Sequence, residues 1–226
     1  MVGNILITGG ASGLGKATAT AVEKAGGRAL VIDVRPPANG LEYVIADVSD
    51  RRRAEDAVGE LAERAGGLDG VVTAAGIDAC GPLEDVAPAA WERVINVNLV
   101  GTVSVVRAAL PYLMRSSGRV VTCASTLGLR AVGDATAYCA AKFGVVGFTR
   151  ALAAELAGRV GVTLLVPGGM HTPFFDGRDE KYKPAADARL NQPEDVAAAI
   201  VFALAQPPGC EVRELVVCPS NETSWP

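Results

Sequence analysis

The sequence predicts an α/β fold in which a doubly wound parallel sheet of seven strands carries helices on both faces, and three observations lead there. Short β-branched runs alternate with longer Ala-rich stretches along the chain, the order that parallel strands and their crossover helices impose. Runs such as Gly70-Val71-Val72-Thr73-Ala74 are apolar almost throughout, which calls for burial on both faces of the sheet. The first run leads straight into a glycine-rich turn that opens a helix, and right-handed crossovers then wind the sheet outward on both sides.

Taken in order, the strands are expected at residues 4–8, 29–33, 42–46, 70–74, 119–124, 162–166 and 213–217. Helices are expected near 13–25, 51–65, 91–114, 137–157 and 193–204, the last with Pro193 suited to a first helical turn. The 226 residues, half of them apolar, supply one sizeable core, and no repeat or linker divides them. A single domain over 1–226 is expected. The least regular stretch, 173–192, mixes prolines, Gly177 and both signs of charge, and is the candidate substrate lid.

Composition removes several functions. A formal charge of −4, with Arg51-Arg52-Arg53 followed at once by Glu55 and Asp56, leaves no basic patch for nucleic acid. The apolar run from Val2 to Ile7 lacks preceding basic residues, and Arg107, Arg150 and Glu155 break the longer apolar stretches, so no membrane or export segment is expected. Five cysteines without a CxxC pair suit a reduced, cytoplasmic protein. With His171 the only histidine, neither a His-rich metal site nor a Ser-His-Asp hydrolase is expected.

The turn Thr8-Gly9-Gly10-Ala11-Ser12-Gly13-Leu14-Gly15 places backbone N–H groups and a helix dipole where a pyrophosphate binds. Its spacing is GxxxGxG, yet Gly9, Gly13 and Gly15 can still provide the tight turn, the close approach to phosphate and the close helix packing. A glycine turn without a ligand is the alternative. Asp33 ends the second strand, 18 residues beyond Gly15, near the spacing of about 20 at which an acid meets ribose hydroxyls. An acid there favours NAD and repels the 2′-phosphate of NADP, although Arg35 close by is of the type that accepts that phosphate.

Tyr138-Cys139-Ala140-Ala141-Lys142 puts a phenol and an ammonium at i and i+4 on one helix face. Such an ammonium favours the phenolate, making the tyrosine usable as an acid or base. A solvated helix face has the same pattern.

These elements together resemble the classical short-chain dehydrogenase/reductase family over nearly the whole chain, which implies a Rossmann-type fold. The resemblance rests on the turn at Thr8–Gly15, Asp47-Val48, Ala75-Gly76, Asn98 within Asn96-Val97-Asn98-Leu99, Ser125, YxxxK at Tyr138 and Lys142, and Pro167-Gly168 with Thr172. It implies Tyr138 as catalytic acid/base and Lys142 as the residue that binds the nicotinamide ribose and lowers the tyrosine pKa. It further implies that Ser125 bonds the substrate oxygen and that Asn98 holds a water in a proton relay. Ser12, Leu14, Asp47, Val48, Ala74 to Gly76, Met170 and Thr172 are then cofactor contacts. Each also has a plainer role: Ser125 in a strand-end turn, Asn98 bonded to backbone, Thr172 as a cap.

The chain departs from the pattern in two places. Thr73-Ala74-Ala75-Gly76 stands where the family carries an asparagine, with a threonine hydroxyl as partial substitute, and the end of the chain, 218–226, lacks the usual Asp-Gly-Gly turn. His171 is expected as a loop histidine bonded to backbone, and Cys123 and Cys139 as small buried hydrophobes. The helix after Lys142 is apolar on more than one face, and the resemblance makes its partner the same helix of another subunit, in a homodimer or homotetramer. The expected reaction is NAD-dependent interconversion of a secondary alcohol and its ketone. The glycine turn and the short loop at 35–40 look like type II 3-hydroxyacyl-CoA dehydrogenases, which suggests a 3-hydroxyacyl thioester. An NADPH-dependent carbonyl reductase and a non-catalytic NAD sensor are the rivals.

Overall fold

The computed structural model describes residues 2–37 and 40–222; part of the loop at 35–40 and the last four residues of the tail therefore lie outside the described residues. Seven strands form one sheet in the order β3-β2-β1-β4-β5-β6-β7, and every neighbouring pair is parallel. They are β1 (Asn4–Thr8), β2 (Arg28–Asp33), β3 (Glu42–Ile45), β4 (Gly70–Thr73), β5 (Arg119–Cys123), β6 (Gly161–Pro167) and β7 (Glu214–Val217). The helices are α1 (Gly13–Lys24), α2 (Arg51–Ala65), α3 (Pro88–Ile95), α4 (Thr102–Ser116), α5 (Thr136–Glu155) and α6 (Pro193–Leu204). This is the doubly wound Rossmann-type sheet that the alternating pattern predicts, and its winding direction reverses between β1 and β4.

Strand alternation sorts the core into two layers. Leu6, Leu30, Val71 and Val120 point to one face, where they pack with α2 and α4 residues such as Leu61 and Leu113. Ile5, Ile7, Val31, Val72 and Val121 point to the other, toward Val22 of α1 and Ile200 of α6. Local signals set the helix ends. Asp50 caps α2 by accepting from the N–H groups of Arg52 and Arg53 at 3.0 and 3.2 Å, and Gly66 ends it with φ +76°.

The predicted helix at 91–114 differs most. It begins earlier, at Pro88, and a π-helical turn, Asn96–Gly101, divides it into α3 and α4. The continuous 29-residue run Pro88–Ser116 is long and apolar enough to cross a membrane by length and composition. Here it packs on the sheet with Val97, Val105, Val106, Ala109 and Leu113 buried.

Thr73 does not stand in for the missing asparagine. Its hydroxyl is buried without a hydrogen-bond partner, and it is the Thr8 hydroxyl on the neighbouring strand that accepts from the Ala75 N–H, at 3.1 Å. A buried orphan hydroxyl costs free energy that an isosteric methyl does not. Thr73→Val is therefore expected to raise stability by about 1 kcal/mol in denaturant unfolding.

Candidate active site

Where the winding reverses, the strand ends open into a cavity of about 1150 Å³ that extends from Asp33 and Asp47 past Ser125 and Tyr138 to the segment 173–192. A smaller hollow of about 340 Å³ around Asn4, Asp69 and Ser116 holds none of the predicted site residues.

The glycine turn forms one end of the large cavity. Gly9 has φ +74°, and a Cβ there would stand 2.9 Å from the Ala75 backbone. Gly13 and Leu14 begin α1, and the Ser12 side chain before them makes no cap hydrogen bond, so this helix start keeps donors for an anion. Gly15 is not in the cavity wall: a Cβ there would lie 2.2 Å from the Gly9 carbonyl oxygen, so its role is the packing of α1 on the turn.

Asp33 closes β2 and braces the turn. Its Oδ2 accepts from the Ala11 N–H at 2.9 Å and its Oδ1 from the Arg35 N–H at 3.0 Å. Each oxygen retains capacity for a further donor such as a ribose hydroxyl. Asp47 accepts from the Ser49 N–H and hydroxyl, at 2.9 and 2.7 Å, and from Arg93 Nη2 at 2.8 Å. Burial favours its neutral form, but the bonds from Ser49 and the Arg93 charge outweigh burial and hold its pKa below the ordinary value. Val48 packs against Gly101 of the π-helical turn, where a Cβ would be 2.8 Å from its side chain. Ala74, Ala75 and Gly76 form the facing wall.

The other end gathers the chemistry. Ser125 follows β5, and its hydroxyl accepts from the Leu127 N–H at 3.1 Å while also hydrogen-bonding Tyr138. Its turn role and its contact with the phenol therefore coexist. Tyr138 and Lys142 share the buried face of α5, with Lys142 Nζ 5.5 Å from the Tyr138 ring centre. Lys142, only 4% exposed, donates to the Cys123 carbonyl at 2.8 Å.

Burial, the largest influence, pushes the Tyr138 phenol above its ordinary pKa, and Cys123 and Asp78 act the same way against the Ser125 hydrogen bond and the Arg178 charge. The YxxxK spacing alone anticipates a lowered phenol; in the folded chain burial outweighs the cations. Lys142 is itself lowered, chiefly by burial.

Asn98 sits behind the cavity wall in the π-helical turn, fully buried. Its Oδ1 accepts from the Ile77 N–H and its Nδ2 donates to the Ile77 carbonyl, both at 2.8 Å. Its own carbonyl accepts from the Thr102 hydroxyl at 2.9 Å. A Cβ on Gly76 would meet Asn98 Oδ1 at 3.5 Å and Lys142 Nζ at 3.9 Å, so the two side chains meet at Gly76.

Pro167, Gly168, Met170 and Thr172 line the cavity beyond β6. Gly168 donates its N–H to the Val217 carbonyl at 3.0 Å, Met170 bridges to Asn191, and Thr172 accepts from the Phe174 N–H at 3.4 Å as a cap. His171 is exposed, its N–H bonded to the Asn191 carbonyl at 2.9 Å.

The sequence reading missed Asp78, Arg93, Phe174, Arg178 and Glu222, all in the cavity wall. Asp78 follows the recognised Gly76 by two positions and Arg178 lies in the irregular segment, so only their place beside known motifs could have flagged them.

The close approach of backbone at Gly9, the acid braced at Asp33 and the length of the cavity fit a dinucleotide, which Gly9 to Leu14, Asp33, Asp47 and Gly76 would hold. The profile of the short chain dehydrogenase family matches residues 3–183. The 3-oxoacyl-[acyl-carrier-protein] reductase of Thermotoga maritima is 33% identical, with 87% of this chain and 88% of that protein covered. The (2S)-[(R)-hydroxy(phenyl)methyl]succinyl-CoA dehydrogenase subunit of Thauera aromatica is 35% identical, covering 87% of each. The solved alcohol dehydrogenase of Thermococcus sibiricus, complexed with 5-hydroxy-NADP, superposes with a TM-score of 0.84 at 25% identity over 95% of each chain. With the motifs in one cavity and the match extending over most of its length, the chain belongs to the short-chain dehydrogenase family of oxidoreductases.

Proposed function

We propose that this oxidoreductase interconverts a secondary alcohol and its ketone with NAD, using Asn98, Ser125, Tyr138 and Lys142. The observation that carries this reading is the hydrogen-bonded Ser125–Tyr138 pair facing a cavity long enough for a dinucleotide and a substrate. Bound nicotinamide supplies the hydride acceptor and, when oxidised, a positive charge. The Tyr138 phenolate takes the alcohol proton, and the Ser125 hydroxyl donates to the same oxygen as its charge develops. Lys142, anchored on Cys123, holds a cation near the phenol and orients the nicotinamide ribose. Asn98 acts through position, fixing the backbone beside Gly76 and holding a water in the proton relay from Lys142 towards solvent.

Asp33 supports NAD, because a carboxylate at the end of β2 accepts from ribose hydroxyls and repels a 2′-phosphate. The second reading is an NADPH-dependent carbonyl reductase. Arg35 beside Asp33 in the cavity wall favours it, as does the NADP-type ligand of the Thermococcus sibiricus enzyme. Two relatives named for acyl thioesters support a 3-hydroxyacyl thioester among the substrates. A homodimer or homotetramer is part of the reading: Phe143 on α5 is 44% exposed and Phe202 on α6 is 57% exposed, apolar surface that a second copy would cover. The five thiols, none in a disulfide, accord with a cytoplasmic setting.

Tyr138→Phe is expected to lower kcat/KM for alcohol oxidation by about 10²–10⁴-fold while leaving the Kd for NADH unchanged; full turnover in that variant overturns the acid/base assignment. Fluorescence titration is expected to give tighter binding of NADH than of NADPH, and the reverse order selects the reductase reading. Light scattering is expected to return twice or four times the mass of one chain.

A further inference from the structure

Residues 173–192 leave the sheet after β6 and return into α6. Their root is held by backbone: the Asn191 carbonyl accepts from the His171 N–H at 2.9 Å, and the Asn191 N–H donates to the Gly169 carbonyl at 3.0 Å. Further out, two acids from other loops hold the segment. Arg178 Nη2 lies 3.1 Å from Asp78 Oδ2, and the Tyr182 hydroxyl donates to Asp134 Oδ2 at 2.8 Å.

The Arg178–Asp78 pair is unlike the rest. Its side chains are only 15% and 6% exposed, whereas every other ion pair among the described residues has a side chain at least 41% exposed. Enclosing two charges is costly unless their hydrogen bonding is complete. Here Arg178 Nε and Nη2 lack a hydrogen-bond partner, so the pair is poorly built as a device for stability alone.

Its surroundings give it another use. The Arg178 guanidinium lies 4.6 and 4.8 Å from the ring centres of Phe174 and Phe175, and the Phe174 ring centre lies 5.5 Å from that of Tyr138. On the other side, Asp78 is held by the Ala79 N–H at 2.7 Å and the Cys80 thiol at 3.2 Å. Its neighbour Ile77 is the residue that Asn98 clamps. A chain of contacts thus runs from the rigid end of β4 through Asp78, Arg178 and Phe174 back to Tyr138.

We propose that Arg178 is a positioning residue: through Asp78 and Phe174 it seats residues 173–192 as a lid on Tyr138 and fixes the wall against which the substrate is held. This rests on the reading of Tyr138 as the acid/base. The groups that face the phenol are Cys123 and Ser125 at the end of β5, Lys142 on its own helix, Asp78 from the loop after β4 and Arg178 from the lid. Asp78 favours the neutral phenol and Arg178 favours the phenolate, so the two halves of the pair act on the phenol in opposite directions. Alcohol oxidation needs the phenolate and rises with pH through the tyrosine pKa. Loss of Arg178 therefore moves that rise to higher pH, and loss of Asp78 moves it lower.

The test uses Arg178→Met, Asp78→Asn and the double variant in the full chain. Amide hydrogen exchange with and without NAD needs no substrate. The amides of residues 173–182 are expected to exchange about tenfold faster or more in each single variant, and the double variant is expected to be no faster than the faster single one. Unchanged exchange in Arg178→Met overturns the seating of the lid, whatever the activity. With an alcohol that the wild type oxidises, KM is expected to rise about tenfold in both single variants. The rise in kcat with pH should shift on the order of half a unit up for Arg178→Met and down for Asp78→Asn. Shifts in the same direction overturn the positioning role, because general loosening has no sign. Should the wild type oxidise no secondary alcohol, the functional reading fails while the exchange result still decides the lid.

Discussion

The site depends on one constraint: the two hydrogen bonds by which the Asn98 carboxamide clamps the backbone of Ile77. A fully buried asparagine with both ends matched is directional in a way that apolar packing is not. It locks the π-helical turn between α3 and α4 onto the end of β4, at the point where the sheet reverses its winding. Gly76 is held with it, and there the absence of a side chain leaves room for Asn98 Oδ1 and Lys142 Nζ on one spot. The direction in which the next residues leave is also set there, so Asp78 stands on a fixed base. The insertion that makes the turn π-helical is thus not a defect in a long helix. It sets the Asn98 side chain against Ile77 in the loop after β4.

A second constraint is electrostatic. The phenol and ammonium to which we assign the acid/base chemistry are both buried, and burial opposes the charged form of each. Fixed dipoles and charges act against burial without overcoming it. The Cys123 carbonyl accepts from Lys142, and the Ser125 hydroxyl bonds the phenol. Asp78 and Arg178 introduce one charge of each sign. The state of the phenol is thus set by burial together with neighbours from several elements.

The fold and the dinucleotide end of the cavity were legible because they follow from local rules. Glycine is required where backbones approach within a Cβ's reach, as Gly9 does to Ala75 and Gly15 to Gly9, and a strand-end acid at Asp33 is set by spacing. YxxxK was legible because i and i+4 share a helix face. The substitution at Thr73 was misread for the opposite reason. Which hydroxyl reaches the Ala75 N–H depends on register between β1 and β4, and it is Thr8 on the adjacent strand that lies within range. The π-helical turn carries no local signal; its Asn98 bonds Ile77, 21 residues away. Asp78 and Arg178 are far apart in sequence and meet only through the return path of an irregular segment, so no periodicity marks them.

The scarcity of histidine acquires a structural meaning in this light. An imidazole near its ordinary pKa can move protons with little help from its surroundings, whereas a buried tyrosine cannot. On the proposed reading, giving the proton chemistry to Tyr138 makes the phenol depend on groups from several elements: β5, α5, the loop after β4 and the segment 173–192. The lone histidine, His171, is exposed, and its N–H bonds the Asn191 carbonyl. Asp78 and Arg178 are the charged groups that reach the phenol from the loop after β4 and from the segment 173–192.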